Sequence, residues 1–222
     1  MLPKTHMLAP LLLIFFLVGC GGGGGASPQS SSYPLRTGVM NIYGAAWQKS
    51  GVVKGTYTYL CTNPPPGTGG MCSTSVTGTF TNTVATGVPA NLGGVAVNLI
   101  SVNRVEITSI SGGSTVSYQV GLKPDFSAIV DANGCTLPIP EVVSIGYTAM
   151  LNCPNGVRGS GITLSVTADT SSGDAMVTVT SGFGKESYRL AANGFATPVA
   201  IGPFSVMSNN QFSSSLNYTL FY

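Results

Sequence analysis

The carboxylate side chains are the strongest candidates for catalytic groups in this sequence. The seven stand at Glu106, Asp125, Asp131, Glu141, Asp169, Asp174 and Glu186. Two carboxyl groups about 5 to 9.5 Å apart suffice for glycoside hydrolysis, so the composition leaves a carboxylate-based enzyme open. Most of the seven, however, neighbour Gly, Pro or Asn, where acidic residues commonly form solvated turns. We therefore assign no catalytic residue.

Asp169 and Asp174 flank a Gly-containing loop and form the acidic pair that comes closest to a calcium-binding pattern. A Ca²⁺ loop takes about six to eight oxygen ligands and normally brings more than two carboxylates. A hairpin turn is the favoured interpretation, and the sequence predicts neither a metal nor a cofactor.

Two further stretches resemble catalytic loops without completing them. Gly159-Ser160-Gly161 lacks the flanking pattern of a nucleophile elbow. Residues 182–186 (GFGKE) have neither the spacing of a phosphate-binding loop nor the Ser or Thr that follows its lysine. A hairpin turn is again the favoured interpretation of residues 182–186.

Four cysteines, Cys61, Cys72, Cys135 and Cys153, form an even set downstream of Cys20. Three pairings are possible, and we favour Cys61 with Cys72 and Cys135 with Cys153 because each pair closes a short loop. A four-thiolate metal site is the alternative, but neither pair has the two-residue spacing of a zinc ribbon. Paired cysteines indicate an oxidising compartment.

Cys20 stands apart, in the run Leu17-Val18-Gly19-Cys20 at the end of an apolar segment. Lys4 and His6 precede that segment, residues 7–18, as a short basic region. As a helix it would reach only about 18 Å, too short for a hydrocarbon core about 30 Å thick. The arrangement resembles the signal of bacterial lipoproteins, whose lipobox ends in an obligatory cysteine.

This resemblance implies that signal peptidase II cuts between Gly19 and Cys20 and removes residues 1–19. Cys20 would then carry a diacylglyceryl group on sulfur and an acyl chain, such as palmitate, on its amine, which is enough lipid for stable anchoring. Gly21 is not the Asp that favours inner-membrane retention in similar lipoproteins. The lipoprotein-sorting machinery would therefore carry the chain to the outer membrane. Both the periplasmic and the cell-surface face of that membrane stay open.

Processing would also remove the only histidine, His6, from the mature chain. That loss excludes Ser-His-Asp and Cys-His catalysis and His-ligated metals. The remaining charge is nearly balanced, without clusters of Lys and Arg, which argues against a nucleic-acid partner.

Residues 20–32 are predicted to form the lipidated cysteine and a flexible Gly/Ser-rich linker of about 20 Å, ahead of a single all-β domain at 33–222. Alternation of apolar and polar residues with period two is the dominant pattern there. The predicted strands are 57–61, 76–80, 95–110, 115–123, 126–130, 147–153, 162–169, 175–180, 187–191 and 216–222. No stretch shows comparable helical periodicity. Turn signals such as Asn133-Gly134 and Asn155-Gly156 separate the runs and favour a mostly antiparallel β-sandwich or β-barrel.

Two groups of aromatic residues allow more than one structural role. Tyr57, Tyr59 and Trp47 would suit contact with a sugar or a protein if exposed, although we favour a place in the core. The final run alternates like the last strand of an outer-membrane β-barrel, but we interpret it as the closing strand of a soluble domain.

These observations predict a lipid-anchored outer-membrane protein with a non-catalytic binding or structural role and a glycan or protein as its ligand. The alternatives are a carboxylate-based enzyme on envelope glycans and an integral outer-membrane barrel.

Overall fold

A computed structural model describes residues 31–110, 112–154, 158–182, 184–207 and 214–222. The predicted signal peptide, the cleavage site at Gly19 and Cys20, most of the linker and the Asn155-Gly156 turn lie outside those residues. None of the helices within the described ranges has the length and apolar character needed to cross a membrane.

Strands make up most of the described chain, as predicted. Every predicted strand overlaps an observed one. The elements are β1 (Ser32–Tyr33), α1 (Leu35–Tyr43), β2 (Trp47–Leu60), β3 (Met71–Val84), β4 (Val88–Leu92), β5 (Val95–Thr108), β6 (Gly113–Leu122), β7 (Ala128–Val130), β8 (Thr136–Pro138), β9 (Val143–Ser144), β10 (Thr148–Asn152), β11 (Arg158–Ala168), β12 (Ala175–Ser181), β13 (Gly184–Leu190), β14 (Ala196–Met207) and β15 (Ser215–Phe221).

The main sheet is antiparallel and closes on itself. Its strand order is β3-β2-β15-β14-β13-β12-β11-β10-β8-β7-β6-β5-β4, and β3 also pairs with β5. Because β3 is hydrogen-bonded to β2 on one side and to β5 on the other, the sheet forms a barrel, with β4 as an added strand on β5. Of the two predicted all-β architectures, the closed one is observed.

Most of the buried apolar side chains among the described residues belong to two clusters. The larger joins α1 to the strands and includes Leu35, Ile42, Leu122, Leu164 and Leu190. The smaller consists of Val53, Phe80, Ile201 and Leu220, with Phe204, Tyr218 and Tyr222 packed against it. The predicted alternation of the final strand is therefore confirmed, since Tyr218, Leu220 and Tyr222 face one core.

Helix α1 corrects the expectation that the chain has no helical stretch. Leu35, Gly38 and Ile42 are its buried residues, and their spacing places them on one face of a short amphipathic helix. Gly38 is required by close packing, because a Cβ there would lie 2.6 Å from Leu190 Cδ1. Because one of the three buried positions of this nine-residue helix is a glycine, the helical spacing of apolar residues is not evident in the sequence.

Strand β14 is the longest strand missing from the predicted set, which also lacks the shorter strands β1, β4, β8 and β9. It contains Pro198 and Pro203, and prolines argue against a strand because they cannot donate to the hydrogen-bond ladder. The structure accommodates Pro203 at an irregularity, where the pairing with β15 shifts between Ile201 and Phe204.

Both favoured disulfides are confirmed: Cys61 pairs with Cys72 and Cys135 with Cys153. The first closes the tip of the long β2–β3 hairpin. The second joins the residues next to Thr136 and Asn152, which are the cross-strand partners of β8 and β10.

Candidate functional site

A cavity of about 350 Å³ lies against α1 and several strands of the barrel. Aliphatic side chains supply most of its wall. They include Leu35, Val39, Ile42, Val120, Ile129, Ile162, Leu164, Val177, Val179 and Leu190. Gln119 and Ala132 also line it and are exposed, which places its mouth at the protein surface.

The antiparallel register of β11, β12 and β13 builds one wall of this cavity. Leu164 is the cross-strand partner of Val179, and Val179 is the partner of Glu186. Since alternate residues of a strand face the same side, Glu186 and Tyr188 share a face with buried Leu190. A carboxylate thus stands in an otherwise aliphatic wall.

Three tyrosines from separate elements surround the Glu186 carboxylate. The Tyr118 hydroxyl on β6 donates a hydrogen bond to Oε1. The Tyr188 hydroxyl donates to Oε2 at 2.5 Å. Tyr43 of α1 lies 3.1 Å from the Tyr188 hydroxyl, oxygen to oxygen. Tyr43 also lies within hydrogen-bonding reach of Glu186. We call Glu186, Tyr118, Tyr188 and Tyr43 the acid–tyrosine cluster.

The tyrosines of this cluster are held in their protonated form. Burial, followed by the negative charge of Glu186, raises the pKa of Tyr43, Tyr118 and Tyr188 far above the usual value for tyrosine. Their hydroxyl groups therefore remain hydrogen-bond donors at physiological pH. Within the described part of the chain, no basic side chain lies within ion-pair distance of Glu186.

A second buried polar group lies on the inward face of β5. Arg104 and Glu106 are each about 2% exposed, and Arg104 Nε lies 2.6 Å from Glu106 Oε1. The Arg104 guanidinium also lies over the Phe204 ring at 5.0 Å, a favourable cation–π geometry. Burial, then the charge of Glu106 and a hydrogen bond to it, raises the pKa of Tyr218 to about 12.

The other carboxylates that the sequence offers as catalytic candidates lie in turns or at the surface. Asp169 accepts hydrogen bonds from Ser171 and Ser172 and pairs with Arg189 at 2.6 Å. These hydrogen bonds, and the neighbouring Arg189 guanidinium, hold the pKa of Asp169 far below its usual range. The 169–174 loop joins β11 to β12, in agreement with the favoured hairpin interpretation. The described residues contain no cluster of three His, Cys, Asp or Glu side chains that would hold a metal.

The remaining candidate residues from the sequence, in two loops and two aromatic groups, lie in different parts of the structure. The chain reverses direction between Ser181 and Gly184, which are cross-strand partners, but residues 184–186 of the predicted turn belong to β13. Ser160 lies in β11, and its side chain is outside what the structure describes. Trp47 packs against the larger core and donates to the Ile42 carbonyl. Tyr57 and Tyr59 stack at 5.4 Å, are partly exposed and belong to neither cluster.

The acid–tyrosine cluster is the site that sequence reasoning missed. A signal was present, since Glu186, Tyr188 and Leu190 alternate on one strand face. The neighbouring glycines favour a turn at Glu186 instead, and the predicted strand begins one residue later, at Ser187.

Comparison of the chain with protein-family models, with curated proteins and with solved structures finds no match.

Proposed function

We propose that this chain is a lipid-anchored binding protein of the bacterial outer membrane, and that its barrel holds a small, largely apolar ligand. The cavity against α1 is the observation that carries the proposal. Its volume falls in the range of about 300 to 1,000 Å³ that small-molecule sites occupy. The lipobox-like residues ending in Cys20 support the anchor.

The wall of the cavity favours binding by exclusion of water. Aliphatic side chains from α1, β6, β11 and β12 meet there, and burial of apolar surface contributes about 25 cal/mol per Å². The acid–tyrosine cluster adds a polar corner that orients a ligand. A few polar groups in a mostly apolar wall are typical of a binding site.

A non-catalytic role agrees with the hydrogen-bond and ion-pair partners of the inward-facing carboxylates. Glu106 is engaged by Arg104, and Glu186 accepts hydrogen bonds from two tyrosines. Both carboxylates therefore have fixed partners in the protein. The proposal includes no cofactor.

An apolar fluorescent probe tests the cavity. We expect N-phenyl-1-naphthylamine to bind the purified protein in detergent-free buffer with increased fluorescence. Val39→Trp fills the cavity from α1 and should weaken binding by about tenfold or more, equivalent to about 1.4 kcal/mol. The measurement is a fluorescence titration, with circular dichroism to confirm the fold.

Met40→Trp is the matched control, because Met40 neighbours Val39 on α1 but is 47% exposed. It should bind the probe like the unsubstituted protein. Val120→Phe provides an independent filling variant from β6. Equal probe affinity in all four proteins would show that the probe binds elsewhere and would overturn the proposal.

The lipid anchor has a separate test. Cys20→Ala should abolish lipidation, because the sulfur that accepts the diacylglyceryl group is gone. Mass spectrometry of the N-terminal peptide should find a lipid-sized addition on the natural chain and none on the variant. A lipid-sized mass on the variant peptide would contradict the anchor assignment.

A further inference from the structure

We propose that the ligand of the cavity carries a hydrogen-bond-donating head, with a protonated amine as the preferred group, and that Glu186 binds it. This inference rests on the proposed function and assigns a chemical class to the ligand. It identifies an alkyl or aryl amine, in place of a fatty acid, as the molecule that fits.

The direction of the hydrogen bonds in the acid–tyrosine cluster is the first argument. Tyr118 and Tyr188 each donate a hydrogen bond to Glu186, and Tyr43 is hydrogen-bonded to Tyr188. A carboxylate offers about four lone-pair sites. Tyr118 and Tyr188 fill two of them, and Tyr43 also lies within hydrogen-bonding reach of Glu186. What Glu186 still presents is acceptor capacity, so its hydrogen-bond partner in a ligand must be a donor.

Charge is the second argument. Among the described residues, the charged side chains that line the cavity are Asp131 and Glu186, and both are acidic. Arg104 is the buried cation of this region, and Glu106 matches its charge at 2.6 Å. Among the described residues no basic side chain lies within ion-pair distance of Glu186, and the surrounding wall is of low polarity, where charge interactions are strong.

The aliphatic wall completes the specificity. An alkyl or aryl group would lie among Val179, Leu164 and Val120, while its ammonium group would reach Glu186 at the edge of that wall. A fatty acid of the same length would place a second negative charge beside Glu186. The resulting repulsion and the lack of a donor at Glu186 would both weaken its binding.

Competition among three matched amphiphiles tests the inference. Decylamine, decanol and decanoic acid share one alkyl chain and differ in the head group. At neutral pH we expect decylamine to displace the bound naphthylamine probe at a concentration at least about tenfold lower than decanoate does, as expected for a hydrogen bond to a charged group. Decanol should fall between them.

Glu186→Gln should reduce the difference between decylamine and decanoate to about threefold or less, because it removes the charge and keeps the shape. Glu141→Gln makes the same chemical change at an exposed position and should leave the preference intact. If Glu186→Gln does not fold, the three affinities of the unsubstituted protein still decide the question.

The outcomes separate the inference from the proposed function. Failure of the probe to bind the cavity would overturn both. Probe binding with equal or better displacement by decanoate would overturn the amine preference alone and leave an apolar binding site in place. Retention of the full amine preference in Glu186→Gln would show that Glu186 does not bind the amine.

Discussion

Replacing Glu106 with leucine is expected to lower the free energy of unfolding by about 3 to 5 kcal/mol, the usual cost of removing one partner of a buried ion pair. Arg104 would keep its charge in a position about 2% exposed. Phe204 would remain as a cation–π partner, but a ring face stabilises a buried guanidinium less than a carboxylate does. Urea denaturation followed by circular dichroism measures the loss.

The double variant Arg104→Met with Glu106→Leu distinguishes two effects. One is the loss of the ion-pair interaction, and the other is the cost of leaving the Arg104 charge buried without its carboxylate partner. It removes both charges and keeps apolar volume, and such replacements are often neutral or stabilising. We expect it to recover most of the stability that Glu106→Leu loses. A double variant as unstable as the single one would indicate that the ion pair itself holds the barrel together.

Replacing Cys135 and Cys153 with alanine is expected to cost about 3 kcal/mol and to loosen one joint of the barrel. Strands β8 and β10 are joined by a single residue pair, Thr136 with Asn152. The disulfide connects the residues immediately beyond that pair, and Cys135 is 3% exposed. Without the covalent link, little backbone pairing would hold β8 to β10.

Hydrogen exchange locates this effect. In the double alanine variant, amides of β7, β8 and β10 should lose protection before those of β12 and β13. Cys61→Ala with Cys72→Ala is the matched control, because its disulfide spans β2 and β3, which pair continuously from Trp47 and Val84 to Leu60 and Met71. Equal local loosening in both double variants would contradict this account of the joint.

Most of the longer β-strands could be predicted because apolar and polar residues alternate along them, whichever strand lies beside them. In residues 162–169, Leu164 and Val166 are each 1% exposed, as their pattern indicates. The disulfides followed from short loop lengths. Neither inference required knowledge of the tertiary structure.

The acid–tyrosine cluster could not be predicted in the same way. Tyr118 and Glu186 are 68 residues apart, and Tyr43 and Tyr188 are 145 apart. Their meeting depends on the order of strands around the barrel and on the position of α1. Helix α1 itself owes its stability to contacts of Gly38 and Ile42 with distant strands, which a nine-residue sequence window does not contain.

The pairing of β15 with β2 has a consequence for how the protein is made. Seven residue pairs, from Ser215 with Thr58 to Phe221 with Val52, join two strands far apart along the chain. Such distant pairing is slow to form, since a long loop must close first. During synthesis, β2 and its hairpin emerge long before β15 exists to cover them. The growing chain therefore passes through a stage with an unpaired strand edge, which is the kind of surface that chaperones protect from aggregation.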